Sequence, residues 1–390
     1  MSVSEPENIQ KSPQKINSHN PVDLYQDYFQ SPSTGRAHEE YAYQGLLPAF
    51  PNVFYGPAPV VEVHDRGLEA KTRWNGGRLA QRAGVKIIEI TPAIGTEIIG
   101  LALNTLTEEE KAELAAMLAE RGIVVIRDQP SFDVTQQTEF VSYFGPLHLH
   151  ASSGVPAQGD LPHVHVVYKD SSKKAPPSAF SKLELWHADV SYERQPPGLT
   201  TFKVLTNPPS GGDTLFASAY AAYDNLSPAL RNYVESLSAL HSGLAQGGKD
   251  HLRHQRRPPI ETVHPVVRVH PVTGWKCIFV DPASTRYIVG VPKAESDMIL
   301  KYLFELVATG TESQARIKWN VNDVGIWDNR CVLHAGSFDF WPHTRHAIRV
   351  MAVAEKPLSV EDAAAAGINA DSREAVEYKR RGWDRIETAN

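Results

Sequence analysis

The sequence is poor in cysteine, and this scarcity bears on the compartment in which the protein works. Only two of its 390 residues are cysteines, Cys277 and Cys331. The two could pair, but a chain of this length with two thiols is more typical of a reduced intracellular protein than of a disulfide-stapled secreted one. The N-terminal residues also lack the basic and apolar regions of a secretory signal. We therefore expect a cytoplasmic protein.

Long apolar runs and an excess of charge are lacking as well. No run approaches the roughly 20 apolar residues of a membrane helix, so we expect no membrane partner. The net charge is -6 and the isoelectric point is near 6.2, which gives no electrostatic reason to expect nucleic acid. The content of 42% hydrophobic and 22% charged residues is typical of a globular protein with one or two domains.

Composition divides the chain into four stretches. Residues 1–25 are polar and are predicted to be a disordered tail. Residues 26–85 contain aromatics separated by prolines, which suggests an irregular arm that packs on its own domain or on a neighbouring subunit. Residues 86–356 are predicted to form the folded domain, and the alanine- and charge-rich residues 357–390 a helical tail. We find no internal repeat at a fixed period.

Short strands and a few helices alternate within the predicted domain. Thr107 and Glu110 form a capping-box pattern, which predicts a helix that ends near Gly122. Many further segments are short, β-branched and separated by turns. This pattern predicts a mainly β fold with flanking helices and a jelly-roll core, that is, a double-stranded β-helix. Residues 241–262 are basic and polar and are expected to be an exposed excursion.

Two histidines and one carboxylate stand out as candidate metal ligands. His187 and Asp189 are two residues apart, so on a strand their side chains would share one face. With His334 they could occupy one face of an octahedral metal, as in non-haem Fe(II) oxygenases. The alternatives are a packed histidine, a turn aspartate or a structural zinc site. Zinc sites of that kind favour cysteine, and neither cysteine has a second cysteine nearby.

Two arginines follow the last of these residues. Arg345 and Arg349 differ by four positions, so on an extended strand they share a face. Two guanidiniums inside a barrel would be costly unless each met an anion. The planar fork of arginine suits carboxylate, sulfonate and phosphate groups. The pair therefore implies two anionic groups, and a pair of surface arginines is the alternative.

Four blocks of sequence carry a family resemblance. They are Trp186–Asp189, Gly211–Phe216, His264–Arg268 with His270–Gly274, and Trp327–Arg330 followed by His334, Arg345 and Arg349. In order and spacing they resemble the taurine dioxygenase (TauD/TfdA) family of Fe(II)- and 2-oxoglutarate-dependent dioxygenases. The similarity covers about Val85 to Glu355. The long N-terminal arm resembles that of fungal-type alkylsulfonate dioxygenases.

The resemblance implies roles for residues on the metal side of the site. His187, Asp189 and His334 match the iron ligands of the family. Thr214 and Arg345 match the residues that bind the carboxylate of 2-oxoglutarate. The implied cofactors are thus Fe(II), 2-oxoglutarate as co-substrate, and O2.

The resemblance also implies a substrate side. Arg349 and His150 match the residues that bind the sulfonate of the substrate. Leu183 and Ser153 depart from the Asn and Tyr of taurine-specialised relatives, so the identity of the sulfonate stays open. Relatives of this kind are often dimers or tetramers, which makes a homo-oligomer an expectation too.

The implied reaction hydroxylates the carbon next to the sulfonate of an alkylsulfonate. Sulfite and an aldehyde are released, with succinate and CO2 from 2-oxoglutarate. An alkyl sulfate ester or an aryloxyalkanoate is the alternative substrate within the family. A metal- or anion-binding barrel without activity is the alternative from another class, and a zinc hydrolase would leave the paired arginines unexplained.

Other histidines are interpreted as parts of the fold or the surface. His163 and His165 could form a second metal pair, but strand or loop histidines are the favoured interpretation. The histidines interpreted as solvated in the basic excursion are His241, His251 and His254. Structural roles are assigned to His264 and His270.

Overall fold

The computed structural model describes residues 41–72, 75–170, 174, 182–244 and 255–383. The predicted disordered tail and the residues His251 and His254 lie outside these ranges. The strands are β1 (Pro48–Ala49), β2 (Lys86–Glu89), β3 (Thr96–Ile99), β4 (Ile123–Ile126), β5 (Val155–Pro156), β6 (His165–Lys169), β7 (Pro197–Thr206), β8 (Thr214–Ser218), β9 (Ser238–Ser242), β10 (Glu261–Pro265), β11 (Val267–Val269), β12 (Lys276–Ile278), β13 (Thr285–Ile288), β14 (Gln314–Ile317), β15 (Val324–Asp328), β16 (Val332–Gly336) and β17 (Arg345–Val353). The α-helices are α1 (Arg78–Gln81), α2 (Glu108–Arg121), α3 (Val134–Ser142), α4 (Ala219–Asp224), α5 (Pro228–Glu235), α6 (Lys293–Thr309), α7 (Val360–Ala365) and α8 (Arg373–Arg381). Short 3-10 helices span Gln44–Leu46, Arg66–Glu69, Leu103–Thr105 and Thr311–Ser313.

Two sheets position the candidate site. The larger has seven strands in the order β2-β3-β4-β15-β7-β17-β6, and a smaller one has three in the order β14-β8-β16. Pairing within both is antiparallel except between β3 and β4. The fold is therefore mixed helix and sheet, with the sheets open in the described part of the chain.

Alternation along β7 explains why the large sheet is buried on both faces. Leu205 belongs to a cluster with Leu114 of α2 and Phe140 of α3, so this face is covered by helices. Phe202 and Val204 point the opposite way, into the core shared with the small sheet. Nearly the whole of β7 is buried, including the polar side chains of Thr200, Thr201 and Lys203.

The boundaries predicted for α2 are confirmed. Thr107 accepts from the amide of Glu110, and the Glu110 carboxylate accepts from the amide of Thr107. Gly122 ends the helix at φ +73°, a conformation that favours glycine. A Cβ there would lie 2.5 Å from Val332 of the small sheet, so this turn also needs a residue without a side chain.

The described part of the arm packs on its own domain. The Tyr41 hydroxyl lies 2.8 Å from Oγ1 of Thr206 on β7. Strand β1 pairs with β5, so Ala49 lies opposite Val155. Asp65 is bonded to the guanidinium of Arg330.

The expectation that residues 241–262 are exposed holds for Leu244 and Glu261 but is wrong for several other residues that the structure describes. His241 is fully buried, and Arg256 and Arg257 are 1% and 5% exposed. The Arg256 guanidinium donates to the carbonyls of Pro162 and His150, both at 2.9 Å. These carbonyl contacts satisfy a charge that composition alone would place in solvent. Separately, none of the described helices has the length and apolar character needed to span a bilayer.

Candidate active site

Three side chains with metal-binding donors meet between the two sheets. The donor atoms of His187, Asp189 and His334 lie within 4.8 Å of one another. The Nε2 atoms of His187 and His334 are 3.8 and 3.7 Å from Oδ1 of Asp189. Asp189 and His334 are buried, whereas His187 is partly exposed. An ion bound here would therefore be held by the protein on one side and accessible from the side of His187.

A single backbone bridge, rather than a regular strand, places His187 beside His334. Their amides and carbonyls exchange hydrogen bonds of 3.0 and 2.9 Å. The expectation that His187 and Asp189 lie on a strand is therefore wrong. Only His187 makes a bridge, and the segment turns at Asp189 and Val190. Val190 has φ +44°, which is strained for a β-branched residue. The bridge and this turn together aim both ligand side chains inward.

Hydrogen bonds orient the side chains for metal binding. Nδ1 of His187 donates to the carbonyl of Leu185 at 2.8 Å, which leaves the Nε2 lone pair free for a metal. Thr200 donates to Oδ2 of Asp189 at 3.3 Å, and Asn329 donates to Thr200 at 2.6 Å. Nothing in the sequence pointed to Thr200, and Asn329 was marked only by its place in the block Trp327–Arg330.

The protonation states also suit a divalent cation. Burial would raise the pKa of Asp189, but Arg349 first and then the two imidazoles hold this pKa well below its usual range. Nη1 of Arg349 donates to Oδ1 of Asp189 at 2.5 Å. Burial lowers the pKa of His334 to about 3, so this imidazole is neutral. An ionised carboxylate and neutral imidazoles are the forms that bind Fe(II).

A second group of potential ligands does not suit a metal. His270, Asp328 and Cys331 are also close together and buried. Both oxygens of Asp328 accept from the guanidinium of Arg330, and Oδ2 also accepts from Nε2 of His270 at 2.9 Å. Nδ1 of His270 accepts from the amide of Val272, so neither ring nitrogen is free. This cluster is a buried ion-pair network, which agrees with the structural role expected for His270.

Arg345 presents a buried guanidinium that forms no ion pair within 4.0 Å in the described part of the chain. It is 6% exposed, and its Nε and Nη2 have no hydrogen-bond partner among the residues that the structure describes. Burial lowers the pKa of Arg345 to about 10, although the nearby Asp213 and Asp339 oppose that shift. A buried guanidinium with free donors is costly unless an anion binds it. The side chain could therefore bind an anion.

Thr214 belongs to the same side of the site. Its Oγ1 accepts from Nε1 of Trp319 at 3.0 Å, which leaves the hydroxyl proton free to donate. The ring of Phe202 links the two regions: it lies 5.2 Å from the Arg345 guanidinium and packs on Trp319 and Trp327. The ring of Trp327 lies 5.0 Å from that of His334. One aromatic wall therefore runs from the candidate carboxylate site to the candidate metal site.

Arg349 brings two histidines into the opposite end of the site. On β17 it lies directly across from His165 of β6. Nη2 of Arg349 donates to Nδ1 of His165 at 2.7 Å, and the His165 ring lies 4.9 Å from that of His150. The sequence pointed to His150 as a site residue, whereas His165 was interpreted as a strand or loop histidine and does lie on β6. Only the register between β6 and β17 reveals His165, since a His-Val-His segment carries no family signal.

Similarity to known proteins agrees with this arrangement. A profile of the family described as "Taurine catabolism dioxygenase TauD, TfdA family" matches residues 86–351. The alpha-ketoglutarate-dependent sulfonate dioxygenase of Saccharomyces cerevisiae is 38% identical over 334 residues, which cover 83% of this chain and 80% of the relative. The alpha-ketoglutarate-dependent 2,4-dichlorophenoxyacetate dioxygenase of Cupriavidus pinatubonensis is 33% identical over 269 residues, 65% of this chain and 88% of the relative. A crystal structure of a taurine dioxygenase from Burkholderia xenovorans matches with a TM-score of 0.60 at 29% identity, covering 71% of this chain and 94% of that one.

Proposed function

The chain belongs to the taurine catabolism dioxygenase TauD, TfdA family, and on this premise we propose that it oxidises an alkylsulfonate. The enzyme is a 2-oxoglutarate-dependent dioxygenase that uses Fe(II) and O2. It hydroxylates the carbon next to the sulfonate and releases sulfite and an aldehyde, with succinate and CO2 as co-products.

One observation carries the proposal. Arg345 and Arg349 lie on the same face of β17, and each has guanidinium donors without acceptors among the described residues. The rings of Phe202 and Trp319 connect Arg345 to Thr214. Arg349 is bonded to Asp189 and to His165, whose ring packs beside that of His150. The site therefore accepts two separate anions, one on each side of the candidate metal ligands. A reaction between 2-oxoglutarate and an anionic substrate needs this arrangement.

The proposed roles of the residues follow from these positions. His187, Asp189 and His334 would hold Fe(II), which supplies the oxidative chemistry with 2-oxoglutarate and O2. Arg345 and the Thr214 hydroxyl would hold the carboxylate of 2-oxoglutarate.

On the substrate side, Arg349 and His150 would hold the sulfonate and so direct one C–H bond toward the metal. After hydroxylation, the C–S bond breaks as the new C=O bond forms. The hydroxyl proton is lost, and the electron pair of the C–S bond leaves with sulfite. Arg349 would stabilise the charge that grows on this leaving group.

The test is an assay of the enzyme reconstituted anaerobically with Fe(II) and 2-oxoglutarate and then exposed to O2. Alkylsulfonates, alkyl sulfate esters and aryloxyacetates are offered separately, and succinate and sulfite are measured together. Sulfite equal to succinate for a sulfonate supports the proposal. Succinate without sulfite for every sulfonate contradicts it, and no succinate with any compound favours the inactive barrel. Asp189→Ala is the control, because loss of a ligand should abolish both products.

An aryloxyalkanoate or an alkyl sulfate ester is the second candidate substrate. The similarity to the 2,4-dichlorophenoxyacetate dioxygenase favours the former, because Arg349 would bind a carboxylate as well. Coupled succinate formation with an aryloxyacetate but with no sulfonate would establish it. Release of sulfate rather than sulfite would identify a sulfate ester.

We also propose that the two sheets are the layers of a jelly-roll, or double-stranded β-helix, core in a domain spanning residues 86–356. The core between the sheets supports this arrangement. His334 of the small sheet and Arg349 of the large sheet also both lie close to Oδ1 of Asp189. An experimental structure tests it, since additional strand pairing should join the sheet edges. Open edges throughout would contradict it.

A homo-oligomer, either a dimer or a tetramer, is proposed as the state in solution. The arm carries the apolar side chains of Phe54 and Val60, which are 67% and 70% exposed. Such groups suit a subunit interface. Light scattering should give a multiple of 43.1 kDa for the wild type and the monomer mass after Phe54→Ser with Val60→Ser. A monomeric wild type, or an unchanged mass in the variant, would contradict this proposal.

A further inference from the structure

The sulfonate end of the site contains one histidine to which the proposed function gives no role. His165 is partly buried on β6, directly opposite Arg349 on β17. Its ring is 4.9 Å from the ring of His150. The two imidazoles and one guanidinium thus surround the same small region beside Asp189.

Hydrogen bonds determine the tautomer of His165. Nδ1 of this ring lies 2.7 Å from Nη2 of Arg349. A guanidinium can only donate, so Nδ1 must be the acceptor. The proton of the neutral ring is then on Nε2. Burial, and then the charge of Arg349, keep the pKa of His165 well below its usual 6.5, in agreement with a neutral ring.

The tautomer of His150 is determined in the same way. Its Nδ1 accepts from the backbone amides of Ser152 and Ser153, at 3.2 and 3.1 Å. The proton of this ring is therefore also on Nε2. Neither Nε2–H has an acceptor among the residues that the structure describes. The Nε–H of Arg349 has none either in that part of the chain.

The number of these donors matches one kind of anion better than another. Two imidazole N–H groups and one guanidinium are three separate donor groups around one region. A sulfonate or sulfate ester offers three terminal oxygens, whereas a carboxylate offers two. A carboxylate can accept from all three donors only if one of its oxygens serves two of them, whereas three oxygens around sulfur give each donor its own acceptor.

We propose that His165 is a specificity-determining residue whose Nε2–H donates the third hydrogen bond to a three-oxygen anion, so that the site prefers sulfonates and sulfate esters to carboxylates. This inference rests on the proposed function, since it assigns the substrate anion to Arg349 and His150. It places the aryloxyalkanoates below the sulfonates as substrates. The selection would depend on the anionic group of the substrate and not on the carbon that reacts.

Two substitutions separate donation to the substrate from support of Arg349. In His165→Asn, the amide oxygen can still accept from Arg349, but no donor reaches the position of Nε2. In His165→Gln, the longer side chain places an amide N–H near that position. If His165 donates to the substrate, His165→Gln should bind sulfonate more tightly than His165→Asn. If His165 only supports Arg349, His165→Asn should bind sulfonate more tightly than His165→Gln.

The probes are 1-pentanesulfonate and hexanoate, which share a five-carbon chain and differ in the anion. Calorimetry without O2, on enzyme loaded with Fe(II) and 2-oxoglutarate, gives the Kd of each. We expect His165→Asn to weaken sulfonate binding by about 10- to 100-fold and hexanoate binding much less. His165→Gln should retain most of the preference for sulfonate. An unchanged KM for 2-oxoglutarate shows that the fold is intact.

Several results would overturn the inference. The first is that the wild type does not measurably bind pentanesulfonate. The second is that His165→Asn binds sulfonate as tightly as the wild type does. The third is that both variants lose binding of sulfonate and of hexanoate to the same extent. Failure of the proposed function is a separate result. The wild type could bind pentanesulfonate more tightly than hexanoate and yet form no sulfite. The proposed reaction would then be wrong, whereas the proposed anion preference would still hold.

Discussion

At the scale of single residues, Arg345 shows a conflict between stability and binding. Its guanidinium is buried, and two of its nitrogens lack partners in the described part of the chain. Enclosing such a charge opposes folding until an anion arrives. In the proposed role of Arg345, the same feature would prepare the site for 2-oxoglutarate, because the ligand would meet donors that need no reorganisation.

Replacing Arg345 by Met should therefore separate stability from binding. We expect the ligand-free variant to be more stable by on the order of 1–3 kcal/mol, because the buried charge is gone. The KM for 2-oxoglutarate should rise about 100-fold or more. Thermal unfolding with and without 2-oxoglutarate measures both effects, since the co-substrate should stabilise only the wild type. A variant that is less stable when free, or is still stabilised by 2-oxoglutarate, would contradict this account.

Arg349→Met is the matched variant with the opposite expected outcome. The KM for the sulfonate should rise about 100-fold or more, because the anion loses its charged partner. The KM for 2-oxoglutarate should stay nearly unchanged when Fe(II) is saturating. Initial rates of succinate formation, with each substrate varied in turn, measure both constants. Equal loss of both would show that the two arginines do not serve separate anions.

At the scale of elements, β15 shows how packing in the core reaches the site. Gly325 faces Trp319 so closely that a Cβ would lie 2.5 Å from the indole ring. Nε1 of this indole donates to Thr214, a proposed 2-oxoglutarate residue. The small residue on β15 thus allows the indole to reach its partner on β8.

Gly325→Ala should affect both stability and co-substrate binding. Overpacking at this position should lower the free energy of unfolding by about 1–3 kcal/mol. Displacement of Trp319 should also raise the KM for 2-oxoglutarate. Urea unfolding and steady-state kinetics measure the two effects. Gly336→Ala on β16 is the control, since its nearest neighbour atom would be Phe338 Cζ at 3.5 Å. Equal behaviour of the two variants would rule out the indole contact as the cause.

At the scale of the whole molecule, the arm supports the substrate side of the site. Pro48 and Phe50 lie against Gly154, where a Cβ would approach them to 2.8 and 3.2 Å. The amide of Tyr55 donates to the carbonyl of Arg256. Gly154 directly follows the two serines whose amides orient His150. The arm therefore packs against the loop that orients His150, the proposed sulfonate ligand.

Removal of residues 1–60 should weaken substrate binding selectively. We expect the KM for the sulfonate to rise between about ten- and a hundred-fold, because a displaced loop misaligns His150. The KM for 2-oxoglutarate should change much less, since the described arm forms no hydrogen bond with Thr214 or Arg345. Removal of residues 1–40 is the control, because it leaves every described contact of the arm in place. Similar constants for the two truncations would show that the arm does not support the loop.

His346 connects the arm to the domain and should make that connection sensitive to acid. It donates from Nε2 to the carbonyl of Leu46 and lies 2.7 Å from the Tyr41 hydroxyl through Nδ1. Burial lowers the pKa of His346 to about 4, below its usual 6.5. Between these values the unfolded chain binds the proton and the folded chain does not, so stability falls as pH falls from 6.5 toward 4.

The size of this effect can be measured by removing the titrating group. The loss from His346 at pH 5, relative to pH 7.5, should be about 2 kcal/mol. His346→Leu should reduce the difference in unfolding free energy between these two pH values by that amount, whatever its effect at pH 7.5. Denaturant titrations at both values test this. An unchanged pH dependence would mean that His346 takes up no proton on unfolding.

Local signals in the sequence were sufficient for the helix boundaries and for the types of ligand. The capping box of α2 and the apolar run of β4 depend on neighbours within a few residues, and both are present. The residue types His, Asp and Arg also indicate their chemistry wherever they lie. Their blocks, taken together, indicated the family.

Only the tertiary structure decided which distant residues meet. The sequence by itself determined that Arg345 and Arg349 share a face, because alternation is a property of one strand. It could not place His165 opposite Arg349, since the register between β6 and β17 depends on contacts across the sheet. Burial of Arg256 was likewise decided by carbonyls distant in sequence. Pairing and burial depend on the whole fold, whereas periodicity and capping depend on adjacent residues.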